Sequence, residues 1–127
     1  MPDRVIFEYA VIRLVPRVER EEFVNIGVIV MSQRKKFLDV KYHIDQERIQ
    51  CFSKDLEIPI IENYLKSWKV ICSGSKTGKG IESLDLHLRF RWLTANRSTI
   101  IQSSSVHSGI CHDPEKVLED LFQKHVS

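Results

Sequence analysis

An α+β fold is what this sequence predicts: an antiparallel sheet of three N-terminal strands plus one C-terminal strand, with helices packed on one face. Two apolar, β-branched runs, Tyr9 to Val15 and Phe23 to Met31, flank a short charged connector, as paired strands flank their turn. A third run, Phe37 to Ile44, alternates apolar and polar residues after the polar turn Ser32 to Lys36. Downstream, apolar residues recur at helical spacing behind Asp45, Pro59 and the pair Asp113-Pro114, all three of them helix-start signals.

At 127 residues and 43% hydrophobic composition, the chain suffices for one domain with a single core. Basic residues exceed acidic ones by 19 to 17, and a pI near 8.5 is too mild to call for nucleic acid by itself. Cys51, Cys72 and Cys111 are odd in number, far apart and without C-x-x-C spacing, which favours reduced thiols over a disulfide framework. No apolar leader and no run of membrane-spanning length is visible, so a soluble cytoplasmic protein with no membrane association is expected.

In the first strand, period-two alternation sends Ala10, Ile12 and Leu14 to the buried face and Tyr9, Val11 and Arg13 to the other. Pro16 stops the ladder because it has no N–H to donate. The connector Arg17 to Glu22 holds five charges in six residues and belongs in water. Phe23 to Met31 reads as a central strand, with Gly27 marking a bulge or a close backbone approach. The third strand turns Leu38, Val40, Tyr42 and Ile44 to one face.

Asp45 caps a short helix from Gln46 to Phe52. Pro59 opens a second, whose stripe is Ile60, Ile61, Tyr64, Leu65 and Trp68. Ser73 to Gly80 is a Gly/Ser/Lys-rich linker, expected to be flexible. It misses the phosphate-binding spacing G-x-x-x-x-G-K-[ST] by one residue and by Gly80 at the hydroxyl position. From Ile81 to Trp92 the pattern fits a strand as well as a helix. The Leu-rich composition, without β-branched residues after Ile81, favours a helix that buries Ile81, Leu84, Leu88 and Trp92. Thr99 to Ser103 is a short strand, and His107 to His112 a loop turning at Gly109. Asp113 and Pro114 open the last helix, whose buried stripe is Val117, Leu118, Leu121, Phe122 and Val126.

No catalytic motif is present. The tip residues Arg17, Glu19, Arg20 and Glu22 could grip a carboxylate or phosphate, or could simply be a solvated hairpin end. Asn25, an amide within an apolar run, either pins the connector backbone or faces a ligand. Arg91, Arg97 and Ser98 bracket a helix–strand junction. Set beside the connector, they would form either a structural Arg–Glu network or a site for an anion or an acidic partner. His107, Cys111 and His112 match no standard zinc spacing, so no metal or cofactor is expected. Cys111, just ahead of a helix N-terminus, would have its thiolate favoured there, although burial as a small core residue is the commoner fate of cysteine. The basic residues Arg34, Lys35, Lys36, Lys76 and Lys79 sit in turns, and both tryptophans lie on apolar stripes, where core packing explains them better than base stacking.

Two strings carry a resemblance. The first runs from Tyr9 to Val28 and includes Arg13-Leu14-Val15-Pro16-Arg17-Val18-Glu19-Arg20-Glu21-Glu22-Phe23-Val24-Asn25-Ile26-Gly27. The second is Arg89-Phe90-Arg91-Trp92-Leu93-Thr94-Ala95-Asn96-Arg97-Ser98-Thr99-Ile100-Ile101-Gln102, continued by Val106-His107-Ser108-Gly109-Ile110-Cys111. On these the chain resembles the bacterial family known as domain of unknown function 3037. It departs at Asn96 and Ser104, where the pattern has proline, and at His112, where it has an acid. The resemblance implies no biochemical activity. It does imply a setting beside a HipA-like kinase, of toxin–antitoxin type, and hence a protein partner. The expectation is a non-enzymatic module that docks on such a partner through the hairpin tip and the Arg91/Arg97 junction, with Asn25, Ser98 and His107 as further contact candidates. The alternative is a protein that holds nucleic-acid or nucleotide phosphates with the same arginines.

Overall fold

The computed structural model describes residues 4–16, 22–54, 56–75, 79–97 and 99–126. Strands β1 (Val5–Leu14), β2 (Val24–Ser32) and β3 (Phe37–Tyr42) form the antiparallel meander, and three helices follow: α1 (Gln46–Phe52), α2 (Ile58–Ser73) and α3 (Leu86–Leu93). Strands β4 (Ile101–Ser103) and β5 (His107–Cys111) then pair with β1, and α4 (Pro114–His125) closes the described chain. The fold is α+β with an antiparallel sheet.

Neighbouring registers explain the far edge of that sheet. Leu14 faces Ile101 and Ile12 faces Ser103, whereas Tyr9 faces His107 and Val5 faces Cys111. The two ladders differ by one residue, so β4 and β5 form one edge strand with a bulge between them. Ser104 secures the bulge: its N–H donates to the Val11 carbonyl at 2.8 Å, and its buried hydroxyl accepts from the Val11 N–H at 2.9 Å. Residues 107–111 are therefore a strand and not the expected loop. His, Ser and Gly have little β preference of their own, and it is pairing with β1 that extends them.

A second bulge lies in β2. Ile12 faces Gly27 and Arg13 faces Asn25, which leaves Ile26 as the extra residue, and its carbonyl is taken by the His43 N–H at 2.9 Å. Gly27 sits where a Cβ would come within 2.8 Å of the Lys41 carbonyl oxygen, so both readings of this glycine hold.

Side-chain alternation divides the interior in two. Ala10, Ile12 and Leu14 face α1, α2 and α3, together with Ile29, Leu65 and Phe90. Val5 and Phe7, with Val28 and Val30, face Leu118, Phe122 and Val126 of α4. Helices thus cover both faces, which corrects the one-sided expectation. The odd-numbered β1 residues are as apolar as the even ones, and burying that second face is what α4 does. Each large aliphatic side chain removed from water in this way contributes about 1.5–3 kcal/mol before entropy is counted.

Helix α1 starts as expected, the Asp45 carboxylate accepting from the Arg48 N–H, and Asp113 does the same for Glu115 at the start of α4. In α2, Ile61, Leu65, Trp68, Ile71 and Cys72 are buried while Ile60 is exposed. No helix among the described residues is long and apolar enough to cross a membrane.

Candidate functional site: the outer face of α3

Helix α3 forms as the composition suggested, but with its other side inward. Phe90 and Leu93 are buried and Leu86 packs against them, whereas Leu84, Leu88 and Trp92 are 39%, 41% and 41% exposed. Arg89 decides this orientation. Its guanidinium reaches across to the end of α2, where Nη1 donates to the carbonyls of Ile71 and Cys72 at 2.9 and 2.8 Å, and its Nε donates to Leu84 at 3.0 Å. A helix pinned on that side turns Leu88 and Trp92 to solvent, and Leu84, in the extended segment just before the helix, is exposed as well. Trp92 is therefore not the core residue expected, whereas Trp68 is.

The end of α3 carries the second half of the site. Arg97 folds back so that its guanidinium lies 4.4 Å from the Trp92 ring centroid. It also donates to the last-turn carbonyls of Leu93, at 3.2 Å, and Trp92. This cation–π stack holds the indole in place while leaving it exposed. Arg91 is exposed on the same last turn. The chain then passes Thr99 and Ile100 to reach β4, and the Ile100 carbonyl accepts from the Val15 N–H at 2.6 Å. That bond sets the junction beside the base of the β1–β2 connector. Next to it, an apolar groove of about 530 Å³ runs between α2 and residues 99–101, lined by Leu56, Ile60, Tyr64 and Ile100 with Glu57 among its walls.

The profile of the family described as "Protein of unknown function (DUF3037)" matches residues 9–126. The chain belongs to the DUF3037 family. Comparison with curated proteins returns no match, nor does comparison with solved structures.

In this DUF3037 protein the sequence candidates fall into three groups. Arg17, Glu19, Arg20 and Ser98 lie outside the described residues, as does Lys76 of the Gly/Ser/Lys linker. Arg91 and Arg97 come together at the junction, and Glu22 is exposed at the foot of β2. Asn25 and His107 are elsewhere, on the α4 face. The Asn25 Nδ2 donates to the His125 carbonyl at 3.2 Å and ties down the end of α4, while its buried Oδ1 has no hydrogen-bond partner among the described residues. His107 is exposed on β5, its ring 5.3 Å from that of Tyr9.

The residues that sequence reasoning missed are Leu84, Leu88 and Arg89. Helical spacing identified the leucines but not the side they occupy. Arg89 carried no signal beyond being a cation in a helix.

Neither buried thiol is activated as a nucleophile. Burial, with the Asp39 charge adding to it, pushes Cys72 up to about 12. Cys111 is also raised, by burial first and then by Asp113, with Lys35 opposing. The proximity of α4 does not favour its thiolate, which corrects that expectation. Among the described residues no group of three His, Cys, Asp or Glu side chains could hold a metal ion.

Proposed function

We propose that this DUF3037 protein is a non-enzymatic, cytoplasmic docking module for another protein, with the outer face of α3 and the Arg91/Arg97 junction as its contact surface. One observation carries the reading: an exposed indole, Trp92, stacked under Arg97 at the end of an exposed Leu84–Leu88 stripe. Tryptophan and arginine are the residue types that dominate interface energetics, and Leu88 and Trp92, one turn apart on one face of α3, are spaced as groove-filling anchors. The rim is cationic, so the partner's complementary surface is an apolar groove edged by carboxylates, with charge steering the approach. The connector Arg17 to Glu22 would extend the contact, a reading supported by the Val15–Ile100 bond, which ties the end of β1 to the segment that follows Arg97.

The HipA-like kinase implied by the bacterial, toxin–antitoxin-type setting is the first partner to test. Isothermal titration of purified kinase with the wild-type protein should show binding. Leu88→Asp and Trp92→Ala should each weaken it at least about tenfold, roughly 1.4 kcal/mol or more. Arg17→Glu combined with Arg20→Glu tests the tip separately. Binding unchanged in the α3 variants would overturn the surface assignment.

The second reading, binding of nucleic-acid or nucleotide phosphates, draws on the same exposed indole and arginines, because bases stack on such rings. It predicts a salt-sensitive mobility shift of single-stranded nucleic acid that Trp92→Ala abolishes.

A further inference from the structure

The two edges of the sheet are protected very differently. At the β3 edge, Asp39 pairs with Lys69 of α2 at 3.0 Å and Lys41 pairs with Glu119 of α4, so charged side chains and two helices guard it. At the other edge, β5 reads His107-Ser108-Gly109-Ile110-Cys111, with no charged residue and no proline, and among the described residues no strand pairs with its outer side. Next to this open edge, Ile6 of β1 and Ile110 of β5 are cross-strand partners on one face, 67% and 65% exposed. An uncharged open edge flanked by exposed isoleucines is the arrangement that natural sheets avoid unless another strand completes it.

We infer that a second copy of this chain pairs with β5 antiparallel, about a twofold axis perpendicular to the sheet at Ile110, to give a continuous sheet eight strands wide, β4 and β5 counting as one edge strand in each copy. The register between β1 and β5 selects both the partner and the axis. Ile6 faces Ile110 and Glu8 faces Ser108. A twofold axis at Ile110 sets Ile110 against the partner's Ile110, so that one row across four strands reads Ile6, Ile110, the partner's Ile110 and the partner's Ile6. Carried one residue past the ends of β5 and β1, to the bend at His112 and to Arg4, the same register makes the next row Glu8, Ser108, the partner's His112 and the partner's Arg4. Ser108 is small, which leaves room for the Glu8 carboxylate to meet the basic side chains across it, and the twofold repeats the same row in the opposite sense. Moving the axis to Gly109 would set each isoleucine pair against Ser108 and Glu8. Moving it to Cys111 would set the pair against His112 and Arg4. Apolar and charge matching coincide at Ile110, which is the self-complementarity that an isologous contact requires.

This surface lies at the opposite end of β1 from the α3 junction and does not depend on the function proposed above. The test is sedimentation equilibrium of the full chain up to millimolar concentration, at low salt. The expected result is a reversible monomer–dimer equilibrium, the dimer having twice the 14.9 kDa chain mass. Ile110→Lys should abolish the dimer without altering the circular dichroism spectrum, because the side chain is exposed in the monomer. Glu8→Arg should weaken the dimer at least about tenfold, and Glu8→Arg with Arg4→Glu should restore it. In a Cys51→Ser background, Ile110→Cys should oxidise to a disulfide-linked dimer, since directly opposed strand positions bring their Cβ atoms within reach. A chain that stays monomeric throughout overturns the proposal. So does a dimer that persists in Ile110→Lys, or one that Glu8→Arg weakens without rescue by Arg4→Glu.

Discussion

The guanidinium of Arg89 closes the end of helix α2 at Gly74. Its Nη1 donates to the Ile71 and Cys72 carbonyls, and it lies where a Cβ on Gly74 would come within 2.9 Å. The last carbonyls of a helix have no partner within it, and a cation there also answers the negative end of the macrodipole. The same side chain fixes α3 against α2, so one residue sets both the helix end and the face that α3 presents.

Arg89→Ala should therefore cost about 2–3 kcal/mol in urea denaturation, more than an ordinary surface arginine would. Arg89→Lys should recover part of this and not all, because a single ammonium cannot bridge the Ile71, Cys72 and Leu84 carbonyls. Full stability in Arg89→Ala would contradict the capping role.

At Gly74 the backbone holds φ 76° and ψ 167°, a region essentially reserved for glycine. Gly74→Ala is expected to destabilise by about 1–3 kcal/mol, measurable as a lower denaturation midpoint with an unchanged m-value.

Ser104→Ala leaves the Val11 N–H without its acceptor inside the bulge between β4 and β5. A loss of about 1–3 kcal/mol is expected, together with faster amide exchange at Val11. Val11 exchange as slow as in the wild-type protein would show that the hydroxyl is not the acceptor.

Gly27→Ala places a methyl group 2.8 Å from the Lys41 carbonyl, 3.0 Å from the Tyr42 Cβ and 3.2 Å from Ile12. Backbone cannot move aside as a side chain can, so β2 and β3 must separate. The expected cost is about 1–3 kcal/mol, and the lost β2–β3 amide protection is readable by hydrogen exchange.

Cys72 supplies a pH dependence. Its thiol is raised in the folded protein to about 12 from an ordinary value of 9.0, by burial and then by Asp39. The unfolded chain gives up the proton first, so the contribution of the neutral buried thiol is complete below pH 9 and is lost as pH rises from 9 towards 12. The stability of the wild-type protein minus that of Cys72→Ala, measured by urea denaturation at each pH, should fall across that window. A flat difference would show that the thiol is accessible.

Apart from β5, the element types were legible in the sequence because they are written in local spacing. The caps Asp45 and Asp113, the alternation in β1 and β3, and the helical stripe of α4 all appear in the structure where residue order places them. The choice of helix over strand for α3 came from composition, and the bulge at Gly27 from one glycine in an apolar run. The DUF3037 membership was legible as well, in two strings that carry no chemistry of their own.

Tertiary structure alone decided the rest. A helical stripe has a period but no direction, and it is the burial of Phe90 and Leu93 together with the contact of Arg89 with the end of α2 that turns Leu88 and Trp92 outward. Residues 107–111 have no strand preference until β1 offers its free edge. Which side of a helix or a strand meets water depends on hydrogen bonds and burial between residues far apart in sequence, and local spacing holds no record of those partners.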